Sequence, residues 1–74
     1  MQNYHLSPAD GRWVLREEGS DRAVLEAATK EEAVTRMREY MQQRTGSVKI
    51  HGRDGRVEEE RTYPRDLDPR ASMG

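Results

Sequence analysis

The sequence predicts a small α+β domain: one antiparallel sheet with a single amphipathic helix packed across one face, in the chain order β-β-β-α-β-β. Three observations carry this. Thr29 to Gly46 holds one apolar stripe at helical spacing, formed by Ala33, Val34, Met37, Tyr40 and Met41. The segments on either side of it are short and alternate between apolar and polar residues, which is the period of a half-buried strand. Turn residues then separate these runs, with Ala9-Asp10-Gly11 before the helix and Gly52-Arg53-Asp54-Gly55 after it. A helix with one apolar face needs an apolar surface beneath it, and a sheet built from the flanking runs is the simplest one.

Taken in order, Asn3 to Pro8 is the first strand, with Tyr4 and Leu6 on one side and His5 and Ser7 on the other. Gly11 suits the turn because it can take positive φ. Arg12 to Glu17 returns, with Trp13 and Leu15 on the buried face and Val14 and Arg16 outward. Gly19-Ser20-Asp21 breaks the run, and Arg22 to Ala27 forms a third extended segment with either Leu25 or Val24 inward. Thr29 and Glu32 have the spacing of a capping box, and acidic Glu31 and Glu32 suit the positive end of the helix dipole. Glu32 and Arg36 stand one turn apart and can pair. Arg44 suits the negative end, and Gly46 suits a left-handed residue just past it. Ser47 to Gly52 is the fourth strand, with Val48 and Ile50 in and Lys49 and His51 out. Asp54-Gly55 predicts a type I′ turn. Arg56 to Tyr63 is the last strand. Glu59 and Arg61 fall on the same face as Val57 and Tyr63, which marks an edge strand guarded by inward charges. The expected core is Tyr4, Leu6, Trp13, Leu15, Leu25, Val34, Met37, Tyr40, Met41, Val48, Ile50 and Val57. Residues 1–63 form one domain, and 64–74, with two prolines and no period, an extended or disordered tail.

Composition narrows the function classes. The chain has 74 residues, one Trp, no Phe and no Cys, so its core is slim and neither disulfides nor thiolate metal sites can reinforce it. Self-association is one way to bury more apolar area. Charged residues make up 36% of the chain but sum to a net charge of −1, so any attraction to a polyanion must come from a local patch. The N-terminus has no basic or apolar signal-peptide regions, and no run is long enough to span a bilayer, which leads to the expectation of a soluble cytoplasmic protein without membrane contact.

No catalytic residues, cofactor site or metal site are expected. The serines lack a nucleophile-elbow context, and His51 and Asp54, which bracket a turn, are explained by the turn. Two lone histidines fall short of a zinc set, and a site at His5 and His51 would need their strands to be adjacent. Glu58-Glu59-Glu60 alternates faces on a strand and does not converge on a cation. The outward sheet face is the candidate binding surface: His5, Arg16, Lys49, His51 and Arg56, with Arg53 at the turn, diluted by Glu26 and Glu58.

Tyr4-His5-Leu6-x-Pro8, Gly11-x-Trp13, Thr29-Lys30-x-Glu32-Ala33 and His51-Gly52-Arg53-Asp54-Gly55-Arg56 with Arg61-Thr62-Tyr63 resemble the small bacterial family catalogued as domain of unknown function 2188. The likeness runs from Tyr4 to about Pro69, and His51 to Arg56 is its most specific part. It implies a ββ…αββ arrangement and brings no assigned activity. The tail departs from the family, with Arg65-Asp66-Leu67-Asp68-Pro69 in place of an Asn-Asp-Pro-like ending.

The expected function is a non-catalytic binding or regulatory domain acting through protein–protein interaction, as a homodimer or attached to another protein. An exposed Val14 and an open sheet edge would provide the surface. The alternatives are nucleic-acid binding through the basic open face, which would be salt-sensitive, and a phage- or plasmid-borne inhibitor of a host complex. No cofactor and no small-molecule substrate are expected.

Overall fold

The structure, a computed structural model, describes residues 2–63. The tail expected over 64–74 lies outside the described residues.

The elements are β1 (Gln2–Ala9), β2 (Arg12–Glu17), β3 (Ala23–Ala27), α1 (Lys30–Met41), β4 (Gly46–His51) and β5 (Val57–Tyr63). The predicted order β-β-β-α-β-β is therefore present, and the sheet has five strands in spatial order β3-β2-β1-β4-β5. β1 pairs antiparallel with β2, from Tyr4 opposite Glu17 to Ala9 opposite Arg12. The turn between them is Asp10-Gly11 with φ of 52° and 79°, the pair of positive angles a type I′ turn requires.

The sheet is mixed, because β4 runs parallel to β1, with Tyr4 opposite Val48 and Leu6 opposite Ile50. The helix accounts for this. After β3 the chain returns along α1 to the end of the sheet where β3 began, so the next strand must run in the direction of β3 and β1. Parallel neighbours need such a crossover connection. α1 packs on β3, β2 and β1, which leaves the β5 edge outside its main footprint.

The helix is bounded by local chemistry. The Glu32 backbone N–H donates to Thr29 Oγ1 at 3.1 Å, as the cap predicts, while the Glu32 carboxylate pairs with Arg36 at 2.8 Å. The C-terminal end falls earlier than expected: Gln42 closes the helix in the right-handed region, its N–H bonded to Glu39 O at 3.3 Å. Gly46 is then the first residue of β4, and it is buried. Its role is one of space. A Cβ built there would stand 2.7 Å from the Gln2 carbonyl oxygen on the parallel neighbour β1. Arg44 lies beyond the helix with its guanidinium 4.0 Å from the centre of the Tyr40 ring.

The core gathers between helix and sheet. Ala33, Met37 and Met41 of α1 are fully buried, against Leu6, Leu15, Val48 and Ile50 of the sheet. Tyr4, Trp13, Ala27 and Tyr63 complete the buried cluster, and Leu25, Val34, Tyr40 and Val24 pack partly buried at its margin. Leu25, opposite Leu15, is the inward residue of β3.

Two expected positions are reversed. Val57 is 51% exposed rather than in the core. A register shift between Ile50 and His51 puts Ile50 opposite Glu59 but His51 opposite Val57, so the strand's phase changes before Val57 is reached. Val14, expected at the surface, is 4% exposed: it lies on an interior strand, with Ser7 and Glu26 as its cross-strand neighbours. The turn 52–56 also differs from a type I′ turn. Gly55 alone of the Asp54-Gly55 pair has positive φ, at 88°, the Gly55 N–H donates to Gly52 O, and the Gly52 N–H donates to Arg56 O. That is a turn closed by a left-handed glycine, the three-residue hairpin pattern.

Candidate functional site

The adjacency of β1 and β4 assembles the centre of the open face. Register puts His5 opposite Arg16 on one side and opposite Lys49 on the other, with His51 two residues further along β4. Four of the six candidate residues therefore cluster. Arg53 and Arg56 do not join them. Arg56 is exposed in the turn and stands 3.7 Å from Asp54, and Arg53 lines a groove at the end of the sheet.

Acidic groups interleave the basic ones. Glu60 lies opposite Lys49, with its carboxylate 3.6 Å from the Lys49 ammonium and accepting from Ser47 Oγ at 2.9 Å. Glu18 Oε1 lies 3.4 Å from His5 Nε2. The hydrogen bond from His5, and then one from Asn3, hold the Glu18 carboxyl below the usual carboxylate range. Glu18 and Glu60 are the diluting charges. Glu26 and Glu58, expected in that role, pair with Arg12 and Lys30. The patch is thus a checkerboard of opposite charges. Lys49 meets Glu60 across the β4–β5 hairpin, and His5 meets Glu18 just past the end of β2.

The two histidines meet at its middle. His5 Nδ1 lies 2.9 Å from His51 Nε2, and His51 Nδ1 lies 2.7 Å from the Gly55 carbonyl oxygen. Their ring centres are 5.2 Å apart and the planes tilt by 42°. Asp54 does not orient His51: its Oδ1 accepts from the Arg56 backbone N–H at 3.1 Å. Among the described residues no group of three or more His, Cys, Asp or Glu side chains is placed to hold a metal ion. No helix among them is long and apolar enough to cross a membrane.

At the end of the sheet, a groove of about 870 Å³ is lined by Pro8, Arg12, Trp13, Lys30, Arg53 and Glu58, among others. Trp13 is 7% exposed, and Lys30 places its ammonium 5.4 Å from the Trp13 ring centre while pairing with Glu58. The third notable surface is the β5 edge. Arg61 Nε donates to Glu59 Oε2 at 2.6 Å on the helix side of the strand, outside the helix's main footprint, where charged side chains keep access to water.

No curated protein and no solved structure is detectably similar to the chain. A family model does match, over residues 4–63, and by that match the chain belongs to the DUF2188 family, described as an uncharacterised protein conserved in bacteria.

Proposed function

We propose that this is a non-catalytic, cytoplasmic binding domain that acts through protein–protein interaction, and that it self-associates through the outer edge of β5. The observation that carries this reading is the end of the sheet. β5 is one of its two edge strands, seven residues long, and it bears Val57, the one large apolar side chain exposed among the described residues. Sheet edges pair readily with further strands.

Charge complementarity favours a second copy as occupant. In a twofold antiparallel pairing of β5 with β5 centred on Glu60, Glu59 faces Arg61 of the second copy and Val57 faces Tyr63. Opposite charges at such cross-strand positions are favourable. Glu60 meets its own copy at the axis, where Lys49 and Ser47 already bind its carboxylate. The checkerboard on the open face gives less support to nucleic-acid binding, since Lys49 and His5 each have an acidic neighbour.

The test is molar mass by light scattering for the wild type and for Val57→Asp, with short duplex and single-stranded nucleic acid added at low salt in parallel runs. The reading expects a wild-type dimer, a folded monomer for Val57→Asp and no nucleic-acid complex. A monomeric wild type that forms a salt-sensitive complex with nucleic acid would replace it with the basic-face alternative.

A further inference from the structure

We propose that His5 and His51 form a two-imidazole site for a first-row divalent metal ion of zinc type on the open face of the sheet. The outer nitrogens of the two rings each face an oxygen acceptor. His51 Nδ1 faces the Gly55 carbonyl oxygen at 2.7 Å, and a carbonyl only accepts, so this nitrogen carries the proton. His5 Nε2 faces the Glu18 carboxylate at 3.4 Å and also donates. These partners assign each neutral ring its tautomer. The inner nitrogens, His5 Nδ1 and His51 Nε2, face each other across 2.9 Å, and with both outer nitrogens protonated that approach is favourable only with a cation, a proton or a metal ion, between them.

The surroundings are those of metal-binding histidines, whose second N–H characteristically goes to a carboxylate or a backbone carbonyl. Here His5 has the carboxylate and His51 the carbonyl. The dimensions agree as well. Two nitrogens bound at about 2.0–2.1 Å to a tetrahedral ion lie about 3.3 Å apart, with ring centres about 5 Å apart. The ring centres already stand 5.2 Å apart, so a swivel of the rings that opens the nitrogens by a few tenths of an ångström makes room for the ion without moving either strand. Water completes the coordination on the solvent side. His5 and its ring partner are partly exposed, which leaves the ion a path. Arg16 and Lys49 flank His5 from β2 and β4, Glu18 and Glu60 offset them, and Val57 faces His51 from β5. The ion would tie β1 to β4, the one parallel pairing in the sheet.

The experiment uses the untagged full chain, titrated with zinc chloride and separately with nickel chloride. Calorimetry reads binding, and long-range 1H–15N spectra read the four ring nitrogens. The expected result is one ion per chain, with the His5 Nδ1 and His51 Nε2 resonances shifting while the outer nitrogens stay protonated. His5→Ala and His51→Ala should each abolish binding. Glu18→Gln should weaken it about tenfold, through loss of the carboxylate behind His5. His51→Gln, which keeps an amide donor for Gly55, covers the case in which His51→Ala does not fold. Absence of binding overturns the proposal. So does unchanged affinity in either single-histidine variant, or a proton held between the inner nitrogens that zinc does not displace.

Discussion

Substituting Gly46 with alanine is the sharpest test of the packing where the helix hands the chain to β4. The φ of Gly46 is not in the left-handed region, so alanine can adopt the backbone, and the whole effect is steric. The new Cβ would lie 2.7 Å from the Gln2 carbonyl oxygen, 3.0 Å from Tyr4 Cε1 and 3.2 Å from Met41 Cε. The first of these is backbone in a paired strand, and the other two are buried core atoms, so nothing nearby yields freely. Overpacking of this kind costs about 1–3 kcal/mol. Alanine also restricts the unfolded chain, which returns about 0.4–1 kcal/mol. The net expectation is a loss of about 1–2 kcal/mol, and for a small domain with a urea m-value near 1 kcal/mol/M the midpoint falls by about 1–2 M. Gly52→Ala is the matched control. There the Cβ meets the far end of the Glu58 side chain, an exposed carboxylate that can swing away, so the change stays within about 0.5 kcal/mol. Urea unfolding followed by circular dichroism reads both. A Gly46→Ala midpoint at or above wild type with an unchanged slope, or a larger loss for Gly52→Ala, would refute the reasoning.

Other perturbations have distinct signatures. Met37→Ala, at a position with no exposure between helix and sheet, should cost about 2–5 kcal/mol. For a domain of this size that loss should lower the melting temperature read by differential scanning calorimetry by about 8–40 °C. Thr29→Ala removes the hydroxyl that accepts from the Glu32 N–H and should lower stability by about 1 kcal/mol in urea titration, with Thr29→Ser close to wild type. Burial, and then the neighbouring Tyr40 and Glu17, push the Tyr4 phenol above its ordinary range. A raised phenol favours the neutral form in the folded state, so its contribution is complete below about pH 10 and is lost as pH rises through the folded titration. Stability curves measured from pH 9 to 12 should show this alkaline loss in the wild type and a smaller one in Tyr4→Phe. An equal loss in both would count against the buried phenol as its source.

The elements themselves were legible because each rests on local chemistry. The Thr29 cap, the stripe Ala33–Met37–Met41 and the alternation of Tyr4 and Leu6 all depend on residues within a turn or two of each other. What escaped the sequence depends on which strands become neighbours. The parallel partnership of β1 with β4 follows from the helical crossover, and it alone brings His5 to His51, whereas Lys49 meets Glu60 across the β4–β5 hairpin. The exposure of Val57 depends on one extra residue in β5, a change of phase that alternation cannot signal in a strand where charges already interrupt the apolar face. The burial of Val14 reflects the place of β2 between β3 and β1. Gly46 shows how one residue can suit two roles: glycine fits a helix terminator, yet here it gives room to the carbonyl of an adjacent strand.

The measurement that bears most directly on function is the molar mass of the purified protein by light scattering across a range of concentrations, with Val57→Asp beside it. Pairing through β5 predicts a dimer for the wild type and a folded monomer for the variant. A wild type that stays monomeric at every concentration, or a dimer that Val57→Asp leaves intact, would contradict the assignment of β5 as the interaction edge.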